Sequence, residues 1–279
     1  MNELRGRFLR VHASTLPLIL AIGVSAISLQ APPVGEKSPI AVQGAVDGEL
    51  EPLIEAVGRP RPRVIDGFSF WEGEIGRSPV VVSRTEVGMV NAAVATTLLV
   101  REYSPRVIIN QGTAGAADPA LRVGDIVIGK ASAPFGSFRT PPRKLGEGID
   151  LSRWEILPRL LRVGEERVRF TRFEADPDLL AQALGTPYEG GRLVEGIVGS
   201  ADEWNREVDK LLWAQNTFGI ASEDMESASA HQVAQIYGIP FLAVRIISNS
   251  EHHAPEFRHE LGADCARYAV ALVRRLASR

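Results

Sequence analysis

Apolar residues in this chain come in short runs that end on small or polar side chains, separated by stretches of helical spacing. "PIAVQGA" (39–45) has the pattern of a buried strand running into glycine. A helix is expected over 47–57, closed by Gly58 and a solvated connector, "RPRPR" (59–63). "FSFWEGEIG" (68–76) and "PVVVSRTEVG" (79–88) alternate or run β-branched about a turn at Gly76-Arg77 and predict a hairpin. Residues 89–103 predict an alanine-rich helix ending before Pro105. "RVIIN" (106–110) is a buried strand followed by a small-residue loop, "QGTAGAADPAL" (111–121). Further strands are expected over 123–131, 191–201 and 240–248, and helices over 176–184, 225–238 and 255–278, with "GIASED" (219–224) leading into the helix at 225. Residues 132–170, rich in proline, arginine and tryptophan, show no clear period and read as an excursion or lid.

Strands alternating with helices around a mostly apolar sheet predict α/β architecture. In such folds ligands collect at the carboxyl ends of strands. That directs attention to the small or acidic residues closing these runs: Gly44, Gly112, Ser200, Glu223 and Ser248.

Composition narrows the class. The 279 residues are 45% hydrophobic, and a net charge of −3 with acids and bases interspersed offers no basic field for nucleic acid. Cys265, the single cysteine, excludes disulfides within the chain and cysteine-rich metal sites. The first 31 residues differ in kind. Arg5, Arg7 and Arg10 precede an uncharged stretch, "LPLILAIGVSAISLQA" (16–31), with small residues at Val24-Ser25-Ala26 and at Ala31. This predicts a signal peptide or membrane anchor over 1–31, and so an exported protein, periplasmic or secreted. Residues 32–38 read as a linker, and the folded domain is expected over 39–279.

Two stretches carry candidate chemistry. Gly112 and Gly115 flank Thr113 just after a buried strand, where backbone N–H groups and one hydroxyl can approach a small polar ligand, although glycine turns after strands are common. "SEDMESASAHQ" (222–232) places Glu223, Asp224 and Glu226 at a strand-to-helix junction. Acids there favour the helix macrodipole, which accounts for Asp224 as a cap better than for Met225-Glu226 ahead of a run of tiny residues. Arg245, a charge inside an apolar strand, needs a buried partner, and Glu223 or Asp224 is expected to supply it. Glu251, His252 and His253 are adjacent on a loop and poorly placed to converge on one metal ion. His231 is expected to be a packing or surface residue, and Cys265 a small buried hydrophobe.

Taken in order, "GAVDGE" (44–49), "GTAGAADPALRVGDIVI" (112–128), "DMES" (224–227) and "VRIIS" (244–248) resemble the nucleoside phosphorylase superfamily, most closely its methylthioadenosine/S-adenosylhomocysteine nucleosidase branch. The resemblance covers about 39–278 and is weak over 132–190. It implies a single domain with a twisted mixed central sheet flanked by helices, a three-layer αβα arrangement, usually as a homodimer. It also implies cleavage of the N-glycosidic bond of a purine nucleoside through an oxocarbenium-like ribosyl cation, with no cofactor or metal. By motif, Glu49 falls on the carboxylate that positions the attacking water, and Glu226 on the one that binds the ribose 2′- and 3′-hydroxyls, with Met225 against the sugar. Gly112 and Thr113 fall near base and sugar. In "GSADEWN" (199–205), Trp204 matches the aromatic that stacks on the purine, and the Asn205 backbone the group that meets the base edge. One carboxylate as general base and another stabilising ribosyl positive charge are what such a reaction needs.

Phosphorolytic relatives hold phosphate with arginines where this chain has Asp47, Glu49, Asn110 and Gln111, so water is the expected nucleophile. Nucleosidases acting on adenine nucleosides carry an aspartate at the place of Asn249, which donates a proton to purine N7. An amide cannot act as that acid. It can donate to N7 or O6 of a 6-oxopurine, so the expected function is a purine nucleosidase preferring 6-oxopurines, with Asn249 a catalytic residue beside Glu49. The alternatives are slow cleavage of adenine nucleosides with another proton source, a secreted purine-nucleoside-binding or storage protein that has lost catalysis, and a purine nucleoside phosphorylase.

Overall fold

The computed structural model describes residues 38–278. The expected signal or anchor segment lies outside the described residues, as does the linker up to residue 37. Among the described residues no helix is long and apolar enough to cross a membrane.

The chain opens with β1 (Ile40–Gly44), α1 (Asp47–Ala56), β2 (Gly58–Ile65), β3 (Phe68–Ile75), β4 (Ser78–Arg84), α2 (Met89–Tyr103), β5 (Val107–Ala116) and β6 (Ile126–Pro134). The excursion follows, with β7 (Phe138–Arg139), β8 (Glu155–Ile156), β9 (Arg159–Val163) and β10 (Glu166–Phe170). The rest is β11 (Phe173–Glu174), α3 (Pro177–Leu184), β12 (Leu193–Ser200), α4 (Val208–Phe218), β13 (Ile220–Asp224), α5 (Ser227–Tyr237), β14 (Phe241–Asn249) and α6 (Leu261–Ala277).

Ten strands form one mixed sheet. β1 lies parallel between β4 and β5. β14 is parallel to β5 on one side and antiparallel to β6 on the other. β12 runs parallel to both β6 and β13, and β13 returns to pair antiparallel with the end of β5. β5, β14, β6, β12 and β13 therefore close a ring, and the tips of β5, β13 and β14 meet at one place.

The apolar runs arise because both faces of the sheet are covered. Ile40, Val42, Val80, Val82 and Ile109 join one buried cluster with Leu50 and Leu53 of α1 and Tyr268 and Leu272 of α6. Their neighbours Ala41, Val81 and Ile108 join a second cluster with Leu99 of α2 and Ala230 and Ala234 of α5. Successive residues thus feed opposite layers with the period of two that a strand imposes, and the expected αβα layering results.

Four local expectations are corrected. The loop expected over 111–121 is strand as far as Ala116, because β14 and β13 supply ladder partners for residues 111–116. "RPRPR" is not a connector but part of β2, the edge strand of the sheet, where proline is tolerated. α4 was not anticipated; it buries Leu211 and Ala214 and stops at Gly219, whose φ of 71° suits glycine. α6 starts at Leu261 rather than at 255, leaving an irregular segment that includes Phe257. The excursion forms two small two-stranded sheets apart from the main one, β7 with β8 and β9 with β10.

Candidate active site

A cavity of about 280 Å³ opens where β5, β13 and β14 end beside the start of α1. Glu49, in the first turn of α1, reaches it and is 4% exposed. One carboxylate oxygen accepts the Ala45 N–H at 2.9 Å, and the other accepts both the N–H and the hydroxyl of Thr113, at 2.9 and 3.0 Å. Two glycines make this burial possible. A Cβ at Gly112 would lie 2.8 Å from Glu49 Oε1, and one at Gly262 of α6 would lie 2.9 Å from Glu49 Cγ.

Glu226 sits at the start of α5 and accepts the Gly88 N–H at 3.0 Å. Behind it is a buried polar network. Arg245 Nε donates to Asp224 at 2.5 Å, and the other end of the guanidinium meets the Asn110 side-chain oxygen. The hydroxyls of Ser200 and Ser227 also donate to Asp224. The partner of Arg245 is therefore Asp224 and not Glu223, and the charge is matched in place. Burial first, and the Asp224 carboxylate next, raise the Glu226 carboxyl to about 7.

At the far end of the cavity the Ser248 hydroxyl lies between two acceptors, the Ala114 carbonyl at 3.1 Å and Asn249 Oδ1 at 3.0 Å, and the Asn249 Nδ2 group is on the side of Gly115. The Trp204 ring is exposed and meets Phe257 edge-on, with centroids 5.5 Å apart. Glu223 is buried beside them, and its Oε2 accepts the Asn205 amide N–H at 2.8 Å. Burial pushes the Glu223 carboxyl up to about 7.

Of the residues expected from sequence, Glu49, Thr113, Trp204, Met225, Glu226 and Asn249 line this one cavity. Gly112 lies behind the Glu49 carboxylate, and Asn205 stands behind Glu223 rather than in the cavity wall. Glu203 and Phe257 line it without having been expected to, and Glu223, marked in the sequence as a strand-end acid and a possible partner of Arg245 but given no role at the site, lines it too. For Glu223 the available signal was an acid closing an apolar strand. His252 and His253 each meet a backbone carbonyl, of Ala117 and Pro119, while Glu251 pairs with Arg206.

The electrostatics of the wall are one-sided. Glu49, Glu203, Glu223, Asp224 and Glu226 line the cavity, and among the described residues no cation does. Arg84, opposite Gly44 in the sheet register, is held by Asp47 at 2.7 Å and Glu86 at 2.9 Å. Gln111 donates to the Glu49 backbone carbonyl, and Asn110 is engaged by Arg245.

A family model described as the phosphorylase superfamily matches residues 39–278. A 5′-methylthioadenosine/S-adenosylhomocysteine nucleosidase of Shewanella halifaxensis is 28% identical over 245 residues, covering 85% of this chain and 99% of the relative. Among solved structures, the nucleosidase of the same name from Neisseria meningitidis, in complex with methylthio-immucillin-A, is 25% identical with a TM-score of 0.66, covering 86% of this chain and 98% of its own. The futalosine hydrolase of Helicobacter pylori shares the fold at 18% identity, with a TM-score of 0.66 over 87% of this chain and 98% of its own.

Proposed function

The chain belongs to the phosphorylase superfamily, and from that premise we propose that it is a nucleosidase hydrolysing the N-glycosidic bond of purine nucleosides, with a preference for 6-oxopurines. The observation that carries this is a single cavity that holds Glu49 and Glu226 and that, among the described residues, no cation lines. The Glu49 and Glu226 carboxylates favour a ribosyl cation and disfavour phosphate beside it. In this reading water is the nucleophile. Glu49, oriented by three hydrogen bonds, takes the proton of a water attacking C1′. Glu226 holds the ribose hydroxyls beside Met225, and its charge stabilises the sugar as the bond to the base lengthens. The base stacks on the open Trp204 ring.

Asn249 supports the preference for 6-oxopurines. Its Nδ2 lies on the Gly115 side of the cavity, where it can donate to purine N7. A hydrogen bond of this kind suits a base that leaves readily as an anion, while adenine gains more from full protonation, which an amide cannot supply.

Two further parts of the reading rest on surface and sequence. Val90 and Val94 of α2 are 71% and 42% exposed, next to Val87 of the cavity, and this apolar strip supports pairing with a second copy. The basic and then apolar residues of the first 31 positions support export. The experiment that tests hydrolysis is identification of the sugar product from inosine, with and without phosphate. Free ribose in both cases supports the reading, and ribose 1-phosphate formed only with phosphate would replace it with phosphorolysis.

A further inference from the structure

Gly115 of β5 stands in register between two polar side chains, opposite Glu223 of β13 on one side and Asn249 of β14 on the other. Residues directly opposite on neighbouring strands project to the same face. A Cβ at Gly115 would begin 3.4 Å from Glu223 Oε1 and 3.7 Å from Asn249 Nδ2. The glycine therefore leaves a slot in the cavity wall edged by a carboxyl and an amide.

Glu223 accepts hydrogen bonds from the side chain and the backbone of Asn205, and the buried arginine does not need it. The arginine pairs with Asp224, its neighbour, and the Asn205 side-chain amide fixes Oε2. Since Oε2 accepts that hydrogen bond, a proton on this carboxyl belongs on Oε1, the oxygen turned towards the slot. Burial favours the protonated form and outweighs the Asn205 hydrogen bonds, which favour the ionised one; Glu203 pushes with burial and Lys210 of α4 against it.

We infer that Glu223 is a second acid at the base site, its Oε1–H donating to the oxygen at C6 of the purine while Asn249 Nδ2 donates to N7. This rests on the reading of the cavity as a purine nucleosidase site and deepens it. As the C1′–N9 bond breaks, its electron pair goes to the base, and the charge spreads to N7 and O6, the atoms the two donors meet. The Glu223 proton passes to the departing base. The water oxygen bonds to C1′ and releases its proton to Glu49, and exchange with solvent restores both carboxyls. A 6-amino group turns its own hydrogens towards the same acid and is disfavoured.

Calorimetry with hypoxanthine, and with purine, which lacks the C6 oxygen, separates a base contact from a structural role. The full chain is compared as wild type, Glu223→Ala and Glu223→Gln. The alanine variant is expected to bind hypoxanthine ~10-fold or more weakly and purine within about threefold of wild type, because a site built to hydrogen-bond one group is penalised only when that group is present. The glutamine variant, which still donates, recovers most of the hypoxanthine affinity. Equal losses for both bases, or no loss for hypoxanthine, would overturn the contact. Binding of hypoxanthine that depends on Glu223, together with no base release from inosine, leaves the contact standing and removes the nucleosidase reading. A wild type that binds neither base removes both.

Discussion

Thr113 presents its backbone N–H and its hydroxyl to the same oxygen of the Glu49 carboxylate, at 2.9 and 3.0 Å, while the Ala45 N–H takes the other oxygen. The first turn of α1 and the middle of β5 are thereby joined at the cavity, and the carboxylate has one orientation. Glu49→Gln is expected to lower kcat by ~10²–10⁴, the range for loss of a general base. It should also cost about 1–3 kcal/mol of stability, because the amide NH2 must face at least one backbone donor. Thr113→Val removes only the hydroxyl and should leave the Glu49 position defined, with a much smaller loss of kcat. Steady-state kinetics alongside urea denaturation checks both.

Gly115→Ala separates the slot from the fold. The added Cβ would meet Glu223 and Asn249 at ordinary van der Waals distances, 3.4–3.7 Å, so thermal stability should hold within about 1 kcal/mol. The methyl group occupies the space where the base edge is placed, so KM for a purine nucleoside should rise by ~10-fold or more. Unaltered KM would remove the base from this slot.

The Asp224–Arg245 pair is almost wholly buried, with both side chains at or below 2% exposure. Arg245→Met leaves Asp224 charged and unmatched, and the expected loss is about 3–5 kcal/mol. The double replacement with Asp224→Asn should recover part of that. Chemical denaturation of the two single variants and the double variant gives the coupling, and additive losses would contradict the pairing.

Activity should pass through a narrow maximum near pH 7. In the proposed role of stabilising ribosyl charge Glu226 must be ionised, and burial and Asp224 raise it to about 7, so kcat/KM rises with pH through that point. In the proposed role Glu223 must keep its proton; burial raises it to about 7 against the Asn205 hydrogen bonds and Lys210, with Glu203 adding to burial, so kcat/KM falls beyond. Glu223→Gln should abolish the alkaline limb and keep the acid one. Stability carries the same sign. The folded protein holds the Glu223 proton up to about 7, whereas the unfolded chain releases it near 4.5. The fold therefore has the full benefit below about 4.5 and loses it progressively as pH rises from there to about 7, by roughly 3 kcal/mol. Glu223→Gln should be more stable than wild type at pH 8 and show no such gain at pH 4.

The strands of the central sheet were legible because both faces are covered, which turns Val80–Val82 and Ile108–Ile109 into uninterrupted apolar runs. The second half of β5 was not. Its residues are small, and its extended state is set by β13 and β14, more than a hundred positions away. α4 buries Leu211 and Ala214 with little else to mark it, so the polar residues around them hid the period. Glu49, Glu226 and Asn249 could be found because each falls in a motif. Glu223 could not be told from Asp224 by type or spacing. Only the register separates them, sending Asp224 to Arg245 and Glu223 to the side of Gly115.

The proposed reaction is hydrolysis of a purine nucleoside at a site whose base partner is an amide. Its most direct test is base release from inosine, guanosine, adenosine and methylthioadenosine in phosphate-free buffer, by wild type and by Asn249→Asp. Release of hypoxanthine and guanine by the wild type without phosphate, and a shift towards adenine in the variant, are expected. No base from any of the four, or release that appears only when phosphate is added, would contradict it.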